Sequence, residues 1–215
     1  MTDDRPTRLV LVRHGEAQCH VDQVVGGMKG CTGLSGLGRR QAEALRQRLE
    51  RTGELADAGV LYASTLPRAI ETAEAIAGVV GASTIEQDED LCELHPGDAD
   101  GITWEEFRAR YAWPSSSADL YRPMAPGAET LAALWVRVAC VLLRLATEHE
   151  GRTVVIACHG GVIEGSLRAL AEMPLAPRFK TRIDNTSITE WERPASDDPH
   201  RRWTLVRFND HAHLL

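Results

Sequence analysis

Positive charge is in short supply in this chain of 215 residues: 24 Lys and Arg stand against 31 Asp and Glu, a formal net charge of −7. That deficit argues against nucleic acid or an anionic membrane as partner, because both call for a net basic face. Any anionic ligand is therefore expected to be small and held by local cations. No apolar run approaches the roughly 18 residues of a membrane span, and "MTDDRPTR" at the start lacks the apolar core of a secretory leader. The expected setting is cytoplasmic, with no membrane partner. The five cysteines (Cys19, Cys31, Cys92, Cys140 and Cys158) are odd in number and include no CxxC pair, which points to reduced thiols. No pair of them has the spacing of a zinc site, and neither a metal nor another cofactor is expected.

What the chain does have is enough apolar residue, 43%, for a substantial core. "TRLVLVR" (7–13) and "TVVIAC" (153–158) are continuous apolar runs rich in β-branched residues, suited to strands buried on both faces of a parallel sheet. "GVLYAS" (59–64) reads as a further strand. Helical stripes follow at Ala42, Leu45 and Leu49, and at Ala69, Ala73, Ile76 and Val80. The longest stripe, Leu131 to Leu145, spaces its apolar residues at i, i+3, i+4 and i+7 within a helix expected over 129–149. "TSITEWE" and "RRWTLVRF" look like a closing hairpin around the polar loop "RPASDDPH". This alternation predicts an α/β fold, a three-layer sandwich with a mostly parallel central sheet and helices on both faces. Residues 1–215 are expected to form a single domain, with an irregular insertion or lid at about 95–127.

In such sheets ligands bind beyond the carboxyl ends of the strands. Arg13 and His14 follow the first strand, Ser64 and Arg68 the second, and His159, Gly160 and Gly161 the strand at 153–158. Two guanidiniums, each able to fork onto phosphate oxygens, together with two imidazoles, make a pocket for a phosphate-like dianion. Cations around an imidazole keep it neutral, and hence a nucleophile. The glycine-rich loop near Lys29 lacks the GK[ST] ending of a nucleotide-binding P-loop and is expected to form a wall of the site.

"LVRHGEA", "ASTLPRAIETA" (63–73), "CELHPGDADG" (92–101), "VIACHGG" (155–161) and "DNTSIT" (184–189) together resemble the signature segments of the histidine phosphatase superfamily, the phosphoglycerate-mutase-like proteins. The resemblance implies that His14 is the nucleophile that becomes phosphohistidine, its other ring nitrogen held by the Gly15 carbonyl. It also implies that Arg13, Arg68 and His159 clamp the phosphoryl oxygens, and that Glu93 passes a proton to the leaving oxygen and later activates water. His20 stands where relatives often carry a phosphate-contacting asparagine, and is counted with the phosphate-binding set. His95 and Asp98 are alternative proton donors. Cys31, Thr32, Gly33, Ser64 and His95 are candidates for lining the substrate pocket.

On this resemblance the protein is expected to be a metal-independent phosphomonoesterase of the histidine acid type, acting on a small phosphorylated metabolite. The alternatives are a mutase of the phosphoglycerate type and a binding module without turnover, and a homodimer is left open. Mutases of this kind tend to be longer, and here "RHGE" runs into "AQCH" rather than "SxWN", which favours hydrolysis. Five aromatics of the insertion, Trp104, Phe107, Tyr111, Trp113 and Tyr121, fit either a packed helix or a lid over the leaving group. The thiols near the site raise the further expectation of sensitivity to oxidation.

Overall fold

The structure is a computed structural model and describes residues 5–112, 117–175, 180–195 and 202–215. Six strands form one sheet: β1 (Thr7–Arg13), β2 (Val60–Ala63), β3 (Glu86–Gln87), β4 (Thr153–Cys158), β5 (Ile188–Arg193) and β6 (Thr204–Asp210), in the order β3-β2-β4-β1-β5-β6. The pairings from β3 to β1 are parallel. β5 and β6 close the sheet as the expected antiparallel hairpin, although residues 196–200 of its polar loop lie outside the described residues.

Period-two alternation sorts the side chains of β1. Leu9 and Leu11 enter one core with Val154, Ile156, Leu134, Val138 and Ile163, while Val10 and Val12 enter another with Val155, Leu45, Leu49, Ala73 and Ile76. The first core is covered by α5 (Leu131–Glu148) and α6 (Gly160–Leu170), the second by α2 (Gly36–Thr52) and α3 (Pro67–Ile76). The fold is thus the expected α/β arrangement with helices on both faces. α5 starts where Thr130 accepts from the Ala133 amide at 3.1 Å, an N-cap that satisfies one of the first-turn donors. No helix among the described residues is long and apolar enough to cross a membrane.

Two elements were not expected: α1 (Gln18–Val21), and the two residues of β3. Neither spans much more than one period of a hydrophobic pattern, too little to repeat, so neither leaves a trace in the sequence. Within 95–127, α4 (Trp104–Arg110) is opened by a reciprocal capping box between Thr103 and Glu106. Phe107, Met124 and Ala125 pack on Val25 of the glycine-rich loop, with Trp104 and Tyr111 at the margin. Tyr121 is exposed, and Trp113 lies outside the described residues.

Candidate active site

The sheet order sets β4 between β2 and β1, so the segments leaving their carboxyl ends are neighbours. The His14 amide donates to the Cys158 carbonyl at 2.9 Å and the Ser64 amide to the Ala157 carbonyl at 3.1 Å. These bonds carry the sheet register one step past its edge, and His14, Ser64 and His159 all end up buried there. The turn after His14 is tight: a Cβ on Gly15 would stand 2.5 Å from the Gly38 carbonyl oxygen at the start of α2, so the backbones can meet only because neither residue has a side chain.

Arg68 reaches the same point from the first turn of α3, behind Pro67, whose fixed φ suits the first helical position. Its Nε–H is shared by two imidazoles, 3.2 Å from His14 Nε2 and 3.3 Å from His159 Nδ1, and its Nη1 donates to the Gly26 carbonyl at 2.7 Å. Each ring's tautomer follows from its other nitrogen. His14 Nδ1–H donates to the Gly15 carbonyl at 2.6 Å, leaving the Nε2 lone pair outward. His159 Nε2–H donates to Ser64 Oγ at 2.6 Å, leaving Nδ1 as acceptor. The ring centroids lie 5.0 Å apart. Burial, then the charges of Arg68 and Arg13, hold His14 well below the ordinary 6.5, and burial with Arg68 does the same for His159. Both rings are therefore neutral at pH 7.

Arg13 donates through Nη1 to the Ile183 carbonyl. Burial draws its pKa down from 12.5, against the pull of Glu93 and Asp184. His20 sits at the mouth, its ring centroid 5.8 Å from that of His14. The residue is exposed as a whole, yet loss of hydration around the ring, helped by Arg68 and Arg13, keeps it below 6.5. Glu93 approaches from the far side: Oε2 accepts from the Gly161 amide at 3.0 Å and Oε1 from the Leu94 amide at 3.1 Å.

The other candidates separate. His95 lines a cavity of about 450 Å³ beside the site with Glu93 and Cys92, whereas Asp98 is exposed. Ser64 touches His159 rather than a cavity wall. Cys31, Thr32 and Gly33 line neither this cavity nor the neighbouring one described below. Thr32 is exposed, Gly33 packs where a Cβ would overlap the Glu71 carboxylate, and the Cys31 thiol hydrogen-bonds with Cys19. That donor, with Arg68 nearby, draws Cys31 down to about 5 and pushes Cys19 up. Their place in the glycine-rich loop points to a wall; the chain instead turns them inward or away.

Four supporting residues were given no role by the sequence reading, although Thr72 and Asn185 lie within its quoted segments. Thr72 accepts from the Gly15 amide at 3.1 Å and donates to the Arg68 carbonyl at 2.7 Å, and Asn185 donates to the His14 carbonyl at 2.9 Å. Arg137 of α5 donates to the carbonyls of Asp90 (2.8 Å), Cys92 (2.9 Å) and Glu93 (3.5 Å) while forking onto Glu129 at 2.7 and 2.9 Å. It grips the segment that carries Glu93. Asp100, noted above only within "GDADG", binds the amides of Gly27, Lys29 and Gly30 at 2.9–3.0 Å and so ties down the glycine-rich loop. No side-chain pattern announces contacts made to backbone groups.

Residues 9–211 match the family model described as the histidine phosphatase superfamily (branch 1). The chain is 32% identical over 213 residues to phosphoglycerate mutase-like protein 4 of Arabidopsis thaliana, covering 96% of this chain and 86% of that one. It is 33% identical over 213 residues to a metal-independent phosphoserine phosphatase of the same plant, covering 97% and 83%. Among solved structures, Bacillus stearothermophilus YhfR superposes with a TM-score of 0.80 at 30% identity, covering 97% of this chain and all of that one.

Proposed function

Because the chain belongs to the histidine phosphatase superfamily, we propose that it is a phosphomonoesterase that takes the phosphoryl group of a small metabolite onto His14 and releases it to water. One observation carries this reading: a buried, neutral imidazole with its Nδ1–H fixed on Gly15 at 2.6 Å and its Nε2 lone pair 3.2 Å from the Arg68 Nε–H.

In the first step the lone pair of His14 Nε2 attacks phosphorus and the bond to the leaving alkoxide breaks. Glu93 gives that oxygen its proton. Arg13, Arg68 and His159 face the phosphoryl oxygens, where charge builds up in the transition state, and stabilising that charge is usually the largest catalytic contribution. As the dianion enters, Arg68 turns its shared Nε–H toward it and His159 Nδ1 takes up a proton from solvent to become a third donor. In the second step Glu93, now a carboxylate, accepts a proton from water, the hydroxide attacks phosphorus, the N–P bond breaks and inorganic phosphate departs. His20, at the mouth, adds a donor toward the outer oxygen. We read it as chemistry of the histidine acid type, and these steps call on no metal. We read residues 1–215 as one domain in which 95–127 forms the outer wall of the site.

The test is phosphate release from p-nitrophenyl phosphate by the parent protein and by His14→Ala, with acid-labile phosphate on the protein trapped by rapid quench. Turnover should vanish in the variant and the parent should carry label; undiminished turnover in His14→Ala would overturn the mechanism. Conversion between phosphoglycerate isomers in the presence of catalytic bisphosphoglycerate should remain slow beside hydrolysis, and fast conversion would favour the mutase reading.

A further inference from the structure

Resting on that phosphatase reading, we infer that the leaving group this site selects is an uncharged alcohol with an apolar body, rather than a carboxylate-bearing one such as the serine of phosphoserine or a glycerate. A cavity of about 300 Å³ opens directly from the clamp, sharing His20, Arg68, Glu93 and Gly161 with it, so whatever Glu93 protonates must extend into this space or the adjoining 450 Å³. Its walls away from the clamp are mostly apolar: Val25, Leu94, Trp104, Met124, Leu131 and Trp135. They come from three separate stretches, the glycine-rich loop, residues 94–124 and the start of α5.

Charge points the same way. Beyond His20, Arg68 and Glu93, the one ionisable wall residue among the described residues is Glu164, an acidic side chain. Arg168 is taken up by its own partners: its guanidinium lies 4.0 Å over the Trp135 ring, stands 3.9 Å from the Glu164 carboxylate and donates to the carbonyls of Glu164 and Leu175 at 2.8 and 3.1 Å. The adjoining cavity carries Glu89 and Asp100 and, among the described residues, no Lys or Arg on its wall. A substrate carboxylate there would leave water, meet apolar surface and face protein carboxylates without a counter-ion, each of which costs free energy. An alkyl or aryl body would instead replace water against two tryptophans and a methionine.

The experiment uses the full chain and a homologous series, ethyl, butyl and hexyl phosphate, whose leaving oxygens are chemically alike, beside phosphoserine and 3-phosphoglycerate. The expected result is a kcat/KM that rises about three- to fourfold per methylene, with hexyl phosphate at least tenfold above both carboxylates. Trp104→Ala should flatten the rise, and Leu131→Arg should lift the carboxylates relative to hexyl phosphate. Hydrolysis without a rise, or with phosphoserine or 3-phosphoglycerate equal to or above hexyl phosphate, would overturn the inference and leave the phosphatase reading standing. Absence of hydrolysis of every ester, p-nitrophenyl phosphate included, would overturn both.

Discussion

Glu93 reaches the amide of Gly161 at 3.0 Å through space that only a glycine leaves open, for a Cβ on Gly161 would overlap Glu93 Oε1. The Gly161→Ala variant should therefore displace the carboxylate, since the atom it strikes is the end of a side chain, and ask of Leu134 Cδ2, 3.2 Å from the added Cβ, only a small shift. Proton transfer by a positioned group contributes about a hundredfold or more, so we expect kcat to fall about ten- to a hundredfold, with KM and the melting temperature near those of the parent. A large drop in melting temperature with kcat unchanged would contradict this account of the pair.

Acid should destabilise the fold sooner than its carboxylates alone would dictate. His14 and His159 are held well below 6.5 by burial and by the nearby guanidiniums, so below pH 6.5 the unfolded chain binds protons that the folded chain refuses. Their contribution is complete above 6.5 and is lost as the pH falls, by about 1.4 kcal/mol per pH unit for each ring within that window. His213, drawn down to about 4 chiefly by burial, adds to it, whereas Asp210, lowered by Arg48, acts only below 3.8. Urea midpoints at pH 7.5, 6.5 and 5.5 should fall steeply over the last step, and less steeply in a His14→Ala/His159→Asn double variant. Equal slopes in the two proteins would show that these rings are not the source.

Arg137 should behave as a positioning residue, because its contacts run to the backbone of the Glu93 segment and never to the clamp. Lysine keeps the charge but lacks the fork that serves Glu129 and the carbonyls together. Arg137→Lys is expected to lower kcat about ten- to a hundredfold, with KM little changed and with the acid-side limb of the kcat profile shifted. If kcat and KM moved in proportion to lost stability, the residue would be merely structural.

The residues proposed to bear the chemistry were legible because they follow directly from strand ends that the apolar runs reveal. "TRLVLVR" and "TVVIAC" deliver His14 and His159 with little freedom, and the Pro67 helix start delivers Arg68. What stayed hidden is the scaffolding made to backbone atoms: Arg137 on three carbonyls, Asp100 on three amides, Thr72 between Gly15 and Arg68. Outside local motifs such as the Thr103–Glu106 capping box, side-chain patterns do not encode such distant partners, because nearly every residue type offers the same amide and carbonyl. Cys31, Thr32 and Gly33 mark the opposite error, in which closeness along the chain stood in for a shared direction.

The shared Arg68 hydrogen bond also has a meaning for selection. Arg68 is buried, 3% exposed, and among the described residues its Nε and Nη1 donors serve two imidazoles and a carbonyl rather than a carboxylate, so the fold holds this cation in its interior without a carboxylate partner. Such a residue is kept against the interest of the fold. Replacement by methionine should abolish turnover and yet hold or raise the melting temperature, a trade between durability and activity. A phosphate ion occupying the clamp should recover the difference in the parent, making occupancy itself a source of resistance to heat.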